Sequence, residues 1–274
     1  MVLPLSAGAL TLCSMGGVTD RSAAAMVASA QLTGARERQE DALAVHVPVA
    51  DSGSRAGEVL LVLADGMGGH AGGEIASRLV VDCFCAACSR SPGTVSDALR
   101  SSLDAANECL AEAVLDVPEL GGMGSTLVGC VIRENSLYWV SVGDSPLWVC
   151  RGEALQRLNA DHSMVPLLQQ MVSAGELTSE EILKDPRRSM LRSALTGKTV
   201  ALVDLCAKPF QLEAGDIVVL ASDGVETLAE DELAALLQDV DIVSLDELAG
   251  KLLAGVEAAG ASHQDNASVI LYRC

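Results

Sequence analysis

Apolar positions along the chain come in short unbroken runs and in longer stretches with helical spacing. Val59–Ala64 and Ile217–Ala221 are continuous apolar runs, too short for helices, and predict buried strands. Val27–Thr33, Ala42–Val47, Thr126–Ile132, Leu137–Val142, Leu147–Arg151, Ala201–Cys206 and Ala267–Tyr272 predict further strands, with turn-forming residues between most of them. After Ala71 the period changes: Ile75, Leu79 and Cys83 recur at i, i+4 and predict one face of a helix that Ser91-Pro92-Gly93 breaks. A second helix, Thr94–Leu115, carries Leu99, Leu103, Ala106 and Leu110 on its apolar side, and two more are predicted at Glu230–Gln238 and Leu245–Ala258. Strands, then paired helices, then strands again predict an α+β fold with largely antiparallel sheets rather than a strict βαβ repeat. Residues 1–27 show no clear period and read as a loosely ordered extension, and residues 28–274 read as one domain without repeats or low-complexity linkers.

The strand Val59–Ala64 ends on Asp65, followed by Gly66-Met67-Gly68-Gly69 and the start of a helix. A carboxylate at the end of a buried strand is costly unless something positive compensates it. A metal ion would do so, and the glycines would let backbone carbonyls approach that ion. Alternatively, Asp65 only caps the helix. Asp41, Asp144, Asp223 and Asp265 repeat the pattern, each beside an apolar strand and most next to Gly or Asn. Any one of them alone is a common turn residue. Together they suit an oxygen-rich site for a hard cation.

Charge narrows the choice of partners. A formal net charge of -19 argues against nucleic acid or an anionic membrane surface. An acidic protein that handles phosphate needs metal ions or a local Arg to overcome repulsion. Aromatics are only 2% of the chain, so the core must be Leu, Val and Ala. No apolar stretch approaches the roughly 20 residues that span a bilayer, and no secretory signal is evident. With nine cysteines, at least one is unpaired within the chain, and a reduced, cytoplasmic setting is expected. Cys83, Cys85 and Cys88 share a predicted helix whose geometry keeps Cys83 away from the other two, so they read as small buried hydrophobes rather than a thiolate metal site.

The motifs occur in a telling order: Arg36-x-x-Gln39-Glu40-Asp41, Asp65-Gly66-Met67-Gly68-Gly69-His70, Gly124-Ser125-Thr126, Val142-Gly143-Asp144-Ser145, Asp161-His162-Ser163, Ser222-Asp223-Gly224 and Asp265-Asn266-Ala267-Ser268. This series resembles the bacterial metal-dependent PP2C-type (PPM) protein serine/threonine phosphatases from about Ala28 to the C-terminus. The resemblance implies a four-layer α-β-β-α sandwich, two antiparallel sheets flanked by helices. It implies two tightly bound Mn2+ or Mg2+ ions, with Asp65 bridging them, the Gly66 carbonyl on one, and Asp41, Asp223 and Asp265 completing the pair, partly through water. Asp144 matches the ligand of a weaker third ion, and Arg36 the phosphate-binding Arg. Activity is then hydrolysis of phosphoserine and phosphothreonine on proteins by a metal-activated water, without a covalent phosphoenzyme. The expected partners are substrates of a Ser/Thr kinase, met by a cytoplasmic monomer. Residues 161–195, polar and interrupted by Pro166 and Pro186, match the family's mobile flap. His70 is expected to order its turn, His162 to anchor the flap, and Arg187-Arg188 to be a solvated basic pair. One departure is Pro146, where relatives often carry Arg after Gly143-Asp144-Ser145; it bears on local packing rather than on ion ligands.

Two rival readings are weaker. Gly66-Met67-Gly68-Gly69-His70-Ala71 fits G-x-G-x-x-A after a strand, as in dinucleotide sites. Asp65 would repel a pyrophosphate there, and no acidic residue ends a second strand about twenty residues on. A phosphatase-like binding domain that has lost its metals is the other rival, but such domains usually lack one or more of the Asp residues that are all present here.

Overall fold

The computed structural model describes residues 11–12, 26–47, 57–69, 71–238 and 244–274, and the position expected to order the first turn, His70, lies outside them. One antiparallel sheet runs β1 (Thr11–Leu12), β2 (Val27–Leu32), β13 (Ala267–Arg273), β12 (Ile217–Ala221), β8 (Leu147–Arg151), β9 (Ala154–Arg157) in spatial order. The other runs β10 (Asp204–Leu205), β7 (Ser136–Val142), β6 (Leu127–Arg133), β4 (Glu58–Met67), β3 (Asp41–His46). β5 (Gly124–Ser125) joins β4, and β11 (Phe210–Gln211) joins β7.

The continuous apolar runs are explained by burial on both strand faces. Side chains alternate along a strand, so Leu60, Val62 and Ala64 pack into the helical layer over their sheet. Leu61 and Leu63 point the other way and meet Val218, Leu220 and Ile270 between the sheets. Ile217, Val219 and Ala221 pack outward beneath the second pair of helices. Truncating a buried Leu in such a core costs about 2–5 kcal/mol. The helices α1 (Gly72–Arg90) and α2 (Val95–Asp116) cover one sheet; α5 (Glu230–Leu237) and α6 (Leu245–Ala258) cover the other. The result is the four-layer α-β-β-α sandwich, and its antiparallel sheets remove the parallel framework that a dinucleotide fold requires.

Several sequence expectations are corrected. The buried stripe of α1 is Ala76, Val80, Phe84 and Cys88, while Ile75, Leu79 and Cys83 are only half-buried at its margin. Both α2 and the sheet press on α1, which rotates the helix away from the stripe its spacing suggested. Cys83 is disulfide-bonded to Cys109 of α2 rather than lying buried as a small hydrophobe; Cys85 and Cys88 are buried. The predicted strand Ala201–Cys206 contracts to Asp204–Leu205, which pairs with Ser141 and Val140 at the sheet edge. Pro166 falls in the first turn of α3 (Val165–Ser173), where its missing N–H costs nothing, and Pro186 follows the end of α4 (Ser179–Lys184). Among the described residues no helix is long and apolar enough to cross a membrane.

Candidate active site

The topology brings distant carboxylates to one end of the sandwich. Asp41 opens β3 and lies directly opposite Asp65 in the β3–β4 pairing. Asp144 sits in the turn from β7 to β8, Asp223 follows β12, and Asp265 precedes β13. A cleft of about 550 Å³ is lined by Arg36, Glu40, Asp65, Gly66, Asp144, Asp223 and Asp265, with Ser189, Met190 and Leu191 on the far side. Asp41 is not in that lining: it stands behind Asp65, buried, and Ser222 and Ser268 hydroxyls donate to its Oδ2 at 2.8 and 2.6 Å. Glu40, which sequence reasoning passed over, faces the cleft instead. Its signal was present in the Arg36-x-x-Gln39-Glu40-Asp41 run, but adjacent carboxylates at a strand entry cannot both face one side.

Backbone and hydroxyl groups position Asp41 and Asp65, whereas Asp265 pairs with a cation. Asp65 N–H donates to Thr126 Oγ1 at 2.9 Å, and Thr126 N–H returns a bond to Asp65 O at 2.8 Å. Gly66 N–H donates to Glu40 O at 3.1 Å. A Cβ on Gly66 would lie 2.0 Å from Gly73 O and 2.6 Å from Glu40 O, so this position admits only glycine without backbone movement. Asn266 ties the Arg36 loop down: its Nδ2 donates to Thr33 O and Arg38 O, and Glu40 N–H donates to its Oδ1 at 2.7 Å. Arg36 Nη2 pairs with Asp265 Oδ2 at 2.5 Å while both side chains remain about half exposed.

The Asp144 turn is clamped from two directions. Gly143 has φ +105°, a conformation glycine adopts readily, and its N–H donates to His162 Nδ1 at 3.2 Å. His162 N–H donates back to Gly143 O at 3.0 Å, and its carbonyl accepts from Arg192 N–H at 2.8 Å. An acceptor Nδ1 means a neutral imidazole, consistent with burial lowering the His162 pKa. His162 therefore joins the segments around Asp161 and Arg192 to the Asp144 turn. From β9, Arg157 Nη2 donates to Asp144 O at 2.6 Å, so a cation reaches this turn from a neighbouring strand while Pro146 follows it in sequence. Arg187 pairs with Asp185 at 2.7 Å, so the predicted solvated basic pair is half neutralised by its own segment.

Crowded carboxylates raise one another's pKa. Burial first, and then Asp41, Asp223 and Asp144, hold Asp65 well above the usual carboxylate range. Burial pushes Asp41 up to about 7, against the opposing effect of the Ser268 and Ser222 bonds. Burial and the nearby Asp223 push Asp144 up to about 7. Asp223 is raised by burial and by Asp265. Buried Asp41 Oδ1 and Asp223 Oδ1 have no hydrogen-bond partner. Orphaned carboxylate oxygens, mutual repulsion and an all-oxygen donor set fit hard divalent cations. Among the described residues, no group of three or more His, Cys, Asp or Glu side chains is gathered closely enough to hold a metal ion by itself. A cleft wall of separate carboxylates suits ions that keep part of their water shell.

Comparison with known proteins points the same way. Residues 37–252 match the family model described as Protein phosphatase 2C. The serine/threonine protein phosphatase PstP of Mycobacterium tuberculosis is 35% identical over 217 residues, which is 79% of this chain and 40% of that protein. The match thus spans about two fifths of the length of that curated relative. The serine/threonine phosphatase stp of Listeria monocytogenes is 28% identical over 218 residues, 77% of this chain and 83% of its own. The crystal structure of the catalytic domain of PstP in complex with two manganese ions superposes with a TM-score of 0.71 at 29% identity, covering 90% of this chain and 96% of that one. The chain belongs to the protein phosphatase 2C family.

Proposed function

We propose that this chain is a metal-dependent protein serine/threonine phosphatase, acting through a water nucleophile and without a covalent phosphoenzyme. The carrying observation is the cleft whose walls carry Asp65, Asp144, Asp223, Asp265 and Glu40 together with Arg36. Asp65, the Gly66 carbonyl, Asp223 and Asp265 would hold a tight pair of Mn2+ or Mg2+ ions, with Asp41 acting from behind Asp65 and Glu40 from the cleft wall. Asp144 would hold a weaker third ion. Bound divalent ions would supply a water that ionises near neutral pH and positive charge against the phosphoryl oxygens.

The remaining work falls to the chain. Arg36, half exposed at the cleft mouth, can exchange part of its pairing with Asp265 for a bidentate grip on the phosphoryl group. Buried Ser222 and Ser268 fix Asp41, and Thr126 fixes Asp65, so the acids need no reorganisation as charge develops. Residues 161–195 act as a flap within a phosphatase domain of residues 28–274, and Met190 would meet the polypeptide around the phosphorylated residue. Its substrates are phosphoproteins made by a Ser/Thr kinase, and it works as a cytoplasmic monomer.

The test is hydrolysis of an aryl phosphate and of a phosphothreonine peptide with Mn2+, with Mg2+, and with a chelator. Turnover in either metal, none in chelator, and no radiolabelled protein after acid quench are expected. Robust metal-free hydrolysis or a trapped phosphoprotein would refute the proposal.

A further inference from the structure

A second cavity, of about 470 Å³, lies beside the catalytic cleft, lined by Gly69 and Gly72 on one side and by Glu119, Leu120 and Met123 on the other. The partition between the two is thin. Gly68 lines the cleft, and a Cβ placed on it would lie 3.3 Å from Gly72, Gly73 and Met123, so glycine backbone and Met123 form the wall next to it. The floor is apolar, from Leu120 and Met123, while the rim carries the exposed carboxylate of Glu119. Glu74, on the first turn of α1, is already matched by Arg38 and Arg78. Glu119 has no ion-pair partner among the described residues.

Resting on the phosphatase reading, we propose that this side cavity is a substrate subsite for a Lys or Arg that flanks the phosphorylated residue. An apolar floor with a single acid at the rim matches the two parts of a basic side chain. The aliphatic stem covers Leu120 and Met123, and the cation reaches Glu119 in solvent. A hydrophobic side chain would leave Glu119 unmatched, and an acidic one would meet both Glu119 and a net charge of -19. Flanking-residue preference then comes from this cavity, while Arg36 and the carboxylate cleft recognise the phosphate.

The experiment uses the full chain with Mn2+ and phosphothreonine peptides carrying Arg, norleucine or Glu at each position flanking the phosphoresidue. Each kcat/KM is divided by that for an aryl phosphate, which has no flanking residue. Wild type is expected to favour Arg over Glu at one position by roughly three- to tenfold, the range of an exposed ion pair plus stem burial. Glu119→Gln should flatten that preference, and Glu119→Arg should invert it towards Glu. No positional preference, norleucine equal to Arg, or a preference for Arg that survives Glu119→Arg would each overturn the subsite. If neither aryl phosphate nor any peptide is hydrolysed with Mn2+, the phosphatase reading itself fails, and that result is distinguishable from loss of selectivity alone.

Discussion

Replacing Asp41 by Asn tests whether the acidic cluster is held at a cost that only cations relieve. Burial raises the Asp41 pKa from 3.8 to about 7 in the metal-free protein. A group whose folded pKa lies above its unfolded value stabilises the fold fully below the unfolded pKa, and that contribution is lost as pH rises through the folded one. The difference of about three pKa units corresponds to at most about 4 kcal/mol of destabilisation at pH 8 relative to pH 3. Asn keeps an acceptor for the Ser222 and Ser268 hydroxyls while removing the charge that burial and the neighbouring Asp223 disfavour. In chelator at pH 8, Asp41→Asn should therefore be more stable than wild type by about 2–4 kcal/mol. For a chain of 274 residues that is a rise in Tm of roughly 3–7 °C. At pH 5, where wild-type Asp41 is largely protonated, the gap should shrink. Adding Mn2+ should raise the wild-type Tm more than that of the variant. Thermal unfolding at the two pH values, with and without Mn2+, reads all three effects. An Asp41→Asn protein that melts at or below wild type at pH 8 in chelator would refute the reasoning.

Other substitutions probe separate parts of the site. Gly66→Ala drives a methyl into Gly73 and Glu40 backbone atoms, so Tm in chelator should fall by an amount equal to about 3 kcal/mol or more, with loss of turnover; a wild-type Tm would show that the strand end has room to move. Arg36→Ala should raise KM for a phosphopeptide with Mn2+ content unchanged by metal analysis; loss of the ions would reassign Arg36 from phosphate to the metal site. Asp144→Ala should retain two bound Mn2+ ions and lose more turnover on a phosphoserine peptide than on an aryl phosphate, whose leaving group needs little protonation. Equal losses on both substrates would count against an acid function at that turn.

The elements were legible because local pattern fixes them. An apolar run such as Leu60–Ala64 can only be buried and its length suits a strand, but the strand runs on through Asp65 and Gly66 to Met67, because β3 and β5 pair with them. The motif order carried the family and, through it, the four layers. Tertiary structure decided what neighbouring residues do when two local choices cost nearly the same. Ile75-Leu79 and Ala76-Val80 are stripes one residue apart on α1, and the combined pressure of α2 and the sheet selects the second. Glu40 and Asp41 are adjacent carboxylates; the pairing of Asp41 with Asp65 turns one towards the cleft and the other inward. Inward orientation is tolerable only because Ser222 and Ser268 arrive from the other sheet with hydroxyl donors. Cys83 meets Cys109 for a similar reason, because α1 and α2 lie side by side over the same sheet. Burial and hydrogen-bond donors for a given side chain come from segments far away in sequence. A local pattern can therefore specify the apolar strand and the acid that follows its apolar run, but not which acid is exposed to the cleft.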